Sequence, residues 1–190
     1  MQAWDKQGNK LTYLVHIMPD ALTTGKSGTY IEDYYTFIKQ EDETYKININ
    51  HFIYSENYEN TLTASDEGNN INLQILSKEV YKNYLVYEMQ ITNNSANRIW
   101  INGDKSKRKI YLTNDDEVTY SAIQSEFDSD KPIILEPEDE LTIKIKFNKV
   151  YNTNVEVTEL VLNDIILNYD KYLQDTENYE NRIELRVDLQ

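Results

Sequence analysis

The sequence predicts a mainly β protein, an antiparallel β-sandwich preceded by an N-terminal β-meander. Three observations carry this. Short runs of β-branched and aromatic residues recur along the chain with a period of two. From residue 71 onward, polar turn clusters separate those runs at short, regular spacing. Little helical periodicity lies between them, so the strands pair without crossover helices.

The polar start MQAWDKQGNK leads at once into the strand LTYLVHI, residues 11–17. TYIEDYYTFI, residues 29–38, has two readings: Ile31, Tyr34, Tyr35 and Ile38 fit a helical stripe, while Tyr30, Tyr34, Thr36 and Ile38 fit a strand face. Its aromatic and β-branched content favours the strand. QEDET reads as a turn. YKININHFIY, residues 45–54, then alternates, with Ile47, Ile49 and Phe52 or Ile53 facing inward and a slip of phase at His51 that suggests a bulge. These elements form the first part, residues 1–58. The polar stretch SENYENTLTASDEGNN is the best linker to a second part, residues 62–190.

In that second part strands are expected at residues 71–81, 84–92, 98–101, 109–112, 118–123, 141–148, 155–167 and 182–189. Leu85, Tyr87, Met89 and Ile91 share one face of the second of these, and NNSAN supplies the turn after it. In IILEPEDELTIKIKF, Leu141, Ile143, Ile145 and Phe147 face inward, and Pro137 stiffens the turn before them. NYDKYLQDTENYEN is a polar insertion, a short helix or a mobile loop.

Composition narrows function. The hydrophobic fraction is only 39%, but 16 tyrosines add large rings with polar tips, so a core can form. The net charge of -14 repels phosphate backbones and anionic lipid, which argues against nucleic acid and against direct insertion into a membrane. Charge is unevenly spread. Arg98, Lys105, Lys107, Arg108 and Lys109 cluster together, and an acidic block over residues 112–140 follows. The simple expectation is that the two blocks neutralise one another across neighbouring strands. There is no cysteine, hence no disulfide, thiolate site or cysteine nucleophile. The wealth of Asn, Lys, Ile, Tyr and Glu suggests a low-GC bacterium. The N-terminus lacks the basic and apolar regions of a signal peptide, and it reads either as a natural start or as a chain cut just after a signal or anchor.

A strand ending in ITNNS, then LEPEDE with an alternating strand, then VTELVLNDIIL, resembles the bacterial immunoglobulin-like (telokin-like) domains. These belong to exported lipoproteins and membrane-anchored proteins of Gram-positive bacteria. The resemblance covers roughly residues 62–190. It departs from the family pattern at Glu138, where a glycine usually follows the proline. It implies an immunoglobulin-like sandwich, an extracytoplasmic and surface-anchored or secreted location, and no catalytic residues. YYTFIKQEDETYKININ is similar to the closing hairpin of small cone-shaped domains of the nuclear-transport-factor type. On that likeness the first part is either a partial α+β domain or a β-extension.

Candidate sites are few. TTGKSG, residues 23–28, contains Gly-Lys-Ser, but Asp20 stands where a phosphate loop needs glycine, so it reads as a strand connection. His16 and His51 lack metal-ligand spacing. No serine sits in a nucleophile elbow, so hydrolase chemistry has no anchor and no enzyme is expected. Asp115, Asp116, Asp128 and Asp130 lie in acidic loops that could supply oxygen ligands to calcium, though without EF-hand spacing. No other cofactor is implied. Tyr34, Tyr35, Tyr54, Tyr58, Tyr169, Tyr172 and Tyr179 exceed what one core needs. They either cover the seam between the two parts or recognise a peptide or glycan. The expected function is a non-catalytic module binding a protein or cell-envelope component. The alternative is a ligand-binding domain or enzyme with a pocket at the seam, using Tyr34, Tyr35, His51 and Tyr54 and converging on Glu32 or Asp33.

Overall fold

A computed structural model describes residues 2–17, 31–48, 51–59, 61–114, 119–123, 125, 127, 131–148 and 157–190. The chain is mainly β, its sheets antiparallel. It divides into two compact units, Met1–Glu56 with Glu79–Leu85, and Asn57–Lys78 with Val86–Gln190. Among the described residues, no helix is long and apolar enough to cross a membrane.

The first unit contains a four-stranded sheet with strands in chain order, β1 (Gln2–Gln7), β2 (Lys10–Ile17), β3 (Ile31–Lys39) and β4 (Tyr45–Asn48). The ambiguous aromatic segment is therefore a strand. Its Tyr34, Tyr35 and Thr36 lie opposite Leu14, Tyr13 and Thr12 of β2. Between β2 and β3 the Thr12 and Thr36 hydroxyls meet at 3.0 Å in a buried pair, and Thr36 Oγ1 also donates to the Phe52 carbonyl at 2.8 Å. Nearby, Tyr13 meets Phe37 edge-on at 5.6 Å, and Phe52 meets Tyr81 edge-on at 5.5 Å.

YKININHFIY is not one bulged strand. It forms β4 and then β5 (Phe52–Asn57), which belong to different sheets. The break falls at His51, whose φ of 61° lies in the left-handed region that ends strand geometry. Phe52 and Ile53 are buried as expected, but Ile47 is 54% exposed, because β4 is a sheet edge among the described residues. Ile49 lies outside the described residues.

Of the two further sheets, one runs β13 (Glu140–Asn148), β8 (Tyr84–Asn93), β7 (Ile71–Tyr81) and β5, with β6 (Thr63–Asp66) also pairing with β7. β5 as far as Glu56 and the turn ends of β7 and β8 fall in the first unit, and the rest falls in the second. The other runs β11 (Thr119–Ser121), β10 (Ile110–Thr113), β14 (Glu159–Ile166), β9 (Ile99–Trp100) and β12 (Ile134–Leu135), with β15 (Arg182–Asp188) on β14. Alternation builds the core: Ile71, Leu73 and Ile75 of β7, Tyr87, Met89 and Ile91 of β8, and Ile145 and Phe147 of β13 are all buried. The expected linker is partly structured, since β6 lies within it and Asp66 and Asn69 close its turn with two hydrogen bonds of 3.0 and 3.1 Å. The polar insertion forms the helix α1 (Tyr169–Gln174), with Asn168 capping it through a 2.9 Å bond from the Lys171 N–H.

The ITNNS and LEPEDE segments meet through Asn93, which is fully buried. Its Nδ2 donates to the carbonyls of Asn97, Leu135 and Glu136 at 2.9–3.1 Å. Its backbone N–H donates to Asp139 O, and its backbone carbonyl accepts from the Glu138 N–H. Glu138 takes φ 66°, the conformation a glycine would adopt without strain. We expect Asn93→Ala to destabilise the protein by about 2–3 kcal/mol, because it strands buried acceptors. Glu138→Gly, by contrast, should raise stability by up to about 1 kcal/mol, since relief of the left-handed strain outweighs glycine's extra unfolded-state entropy. Urea unfolding of both variants measures this.

Candidate functional site

Three places concentrate polar or exposed groups. The first is in the first unit. Asp33 on β3 places Oδ1 3.1 Å from His51 Nδ1 and 3.0 Å from Lys82 Nζ, and the same oxygen accepts the Tyr34 N–H at 2.9 Å. Lys82 also donates its backbone N–H to the His51 carbonyl, which helps hold His51 in its left-handed conformation. Burial raises the Asp33 pKa, but hydrogen bonds from Lys82 and Tyr34 and the charges of Lys82 and His51 outweigh it. The carboxyl therefore titrates below its ordinary value. An Asp–His pair is the orienting half of a hydrolytic triad. Among the described residues, however, the His51 ring makes its hydrogen bond to Asp33 alone, and no nucleophile stands against it.

The second place lies in the second unit. Asn163 and Asp164 interrupt the apolar run of β14. There, three steps from Leu162 to Ile165 match two steps from Leu185 to Ile183 on β15, which is a β-bulge. Asp164 has φ 65° and is buried. Its Oδ2 accepts the N–H groups of Lys105 and Ser106 at 2.7 and 2.9 Å, and its Oδ1 accepts from Arg182 Nη1 at 2.6 Å. Arg182 Nη2 lies 2.7 Å from Asp104, which also accepts the Tyr172 hydroxyl at 2.8 Å. Burial raises the Asp104 pKa, yet the bonds from Arg182 and Tyr172 lower it further, and the net shift is down. Gly103 permits this packing, because a Cβ on it would stand 2.2 Å from the Asp164 carbonyl oxygen. Trp100, Ile166, Tyr172 and Tyr179 form a buried cluster beside the ion pairs.

The third place is β4 with the turn before it. Tyr45 and Ile47 are 56% and 54% exposed on an edge strand, and Glu41, Asp42, Glu43 and Lys46 beside them are exposed too. Asp42 caps this turn by accepting the Thr44 hydroxyl and N–H at 2.6 and 3.1 Å. Lys39 pairs with Glu43 at 2.5 Å.

The structure brings His51 to Asp33, whose Oδ1 also accepts the Tyr34 N–H. Tyr35 and Tyr54 are half-buried and make no hydrogen bond to that cluster among the described residues. Burial, with the charge of Glu56, raises the Tyr54 pKa. His16 is exposed on β2. Asp115, Asp116, Asp128, Asp130 and the TTGKSG segment lie outside the described residues, and among the described residues no group of three or more His, Asp or Glu is placed to hold a metal ion. Tyr172 and Tyr179 are not surplus surface rings. They pack edge-on at 5.9 Å within the second unit's core. Of the acidic block expected to neutralise the basic one, Asp115, Asp116, Glu117, Glu126, Asp128 and Asp130 lie outside the described residues. Arg98 reaches Glu136 at 3.8 Å but bonds mainly to Asp170, and Lys109 donates to the Asn102 carbonyl.

The Asp164 network escaped sequence reading, although Asn-Asp inside the apolar run LVLNDIIL marked the bulge. Comparison with protein-family models, with curated proteins and with solved structures finds no match to this chain.

Removing Arg182 leaves two carboxylates uncompensated, so Arg182→Gln should cost about 3–5 kcal/mol. Asp104 has a folded pKa below 3.8, so its stabilisation is complete above that value and is lost as pH falls through the lower folded pKa. Acid unfolding of Asp104→Asn, followed by circular dichroism, should show a shallower decline across that window than the parent protein.

Proposed function

We propose that this chain is a non-catalytic interaction module of a cell-envelope protein, working outside the cytoplasm, with an immunoglobulin-like sandwich as its second unit. The observation that carries the reading is the pair of exposed apolar side chains, Tyr45 and Ile47, on an edge strand of an otherwise strongly charged chain. The sandwich assignment is supported by the antiparallel sheets to which the second unit's strands belong and by the Asn93 bonds that join the ITNNS and LEPEDE segments. The extracytoplasmic assignment rests on the resemblance those segments carry. The polar clusters fit a scaffold role, since Asp164 and Arg182 are spent on holding loop, bulge and strand together.

A second reading, a ligand pocket or hydrolytic site in the first unit, is favoured by the Asp33–His51 pair. One experiment separates them. A photoreactive amino acid placed at Tyr45 or Ile47 should crosslink the displayed protein to another envelope protein on the source cells. The same group at Leu173, equally exposed on α1 at 55%, should not. His51→Ala should leave the crosslink intact. If crosslinking from Tyr45 vanishes with His51→Ala, the pocket reading replaces the first. Equal labelling from Leu173 abandons it.

A further inference from the structure

We infer that β4 takes up an extended polypeptide segment by strand addition, and that this segment carries an acidic residue between two apolar ones. This rests on the reading of the chain as an interaction module and names the chemistry of its partner.

The ladder determines which backbone groups of β4 point outward. In antiparallel pairing, successive residues direct N–H and C=O alternately to the two sides. Gln40 and Thr44 continue the register of Lys39 opposite Tyr45, and the Gln40 N–H donates to Thr44 O at 2.8 Å. Stepping by two, Lys46 and Asn48 are then the residues bonded to β3, opposite Ile38 and Thr36. Tyr45 and Ile47 turn their N–H and C=O to the other side. The 2.8 Å bond from the Lys39 N–H to Asn9 O gives β3 the matching phase, with its odd-numbered residues bonded toward β2. The residues with outward backbone groups are therefore the same two that expose large apolar side chains. Backbone pairing together with places for alternate apolar side chains is what strand addition uses.

Charge selects the occupant. Lys46 is exposed, lies on the opposite face from Tyr45 and Ile47, and makes no ion pair among the described residues. A second copy using the same four backbone groups would set Tyr45 opposite Ile47 and Lys46 directly opposite its own counterpart. Like charges directly opposite oppose pairing, and an edge lysine is a common guard against self-association. An acidic residue opposite Lys46 turns that penalty into attraction, which points to a different chain as the partner.

The test is calorimetric titration of the whole protein with two end-blocked peptides of alternating threonine and valine, identical except for a central Glu or Lys flanked by valines. The Glu peptide should bind, and the Lys peptide should bind about fivefold to tenfold more weakly, since charge pairs across a strand pair act in opposite senses. Lys46→Glu, at an exposed site, should reverse that order, and N-methylation of the two flanking valines should abolish binding. Equal affinities, or no reversal with Lys46→Glu, overturn the inference. So does self-association of the parent protein that excludes the peptides, which would make a second copy the occupant. If neither peptide binds while crosslinking from Tyr45 persists, this inference fails and the interaction-module reading stands. Loss of both removes both.

Discussion

Much of the second unit depends on one carboxylate that is nearly closed to water, that of Asp164. A buried charge of this kind is tolerable only when each lone pair finds a donor. Asp164 meets that demand with two backbone N–H groups from the loop after β9 and the guanidinium of Arg182 on β15. The consequence is geometric. The loop from Asn102 to Lys109, the bulge in β14 and the start of β15 must occupy one arrangement, because any other leaves the charge unpaired. Asn102 extends the constraint, with its side-chain oxygen accepting from Trp100 Nε1 and the Ile133 N–H and its Nδ2 donating to Lys131 O.

The same economy explains where function is expected. Inside the second unit, polar side chains are consumed by scaffolding. In the first unit, Asp33 holds His51 and Lys82, and Thr36 ties β3 to Phe52. The edge strand β4 differs, since its apolar side chains stay exposed where a sheet would normally bury or guard them, and Lys46 supplies the guard.

How much of this was legible depends on range. Period-two patterning located β7, β8, β13 and β15, because one buried face writes itself into local sequence. β6 was hidden, since a polar strand of Thr63, Ala64, Ser65 and Asp66 has no apolar face to show. His51 was recognised as a break of phase but not as a strand end, because a left-handed histidine has no local mark comparable to glycine. Tyr172 and Tyr179 were misjudged as surplus because a phenol suits surface and core alike, and only the partners of the ring decide. Of the candidate site, the convergence of His51 on Asp33 was stated as a condition. The exposure of Ile47 was not foreseen, because alternation cannot distinguish an edge from an interior strand.

The sequence separation of the bonds at Asn93 and Asp164 has a kinetic consequence. Asn93 reaches carbonyls 42 and 43 residues away, and Asp164 reaches backbone donors 58 and 59 residues away. Each contact closes a long loop before it is rewarded, so the second unit belongs to the slow, high-contact-order class of folders. The guanidinium that neutralises Asp164 is carried by β15, which follows β14 in the chain. A growing chain therefore carries an unbalanced acid in its second unit until that strand emerges, and commitment of that unit to the native state waits for β15.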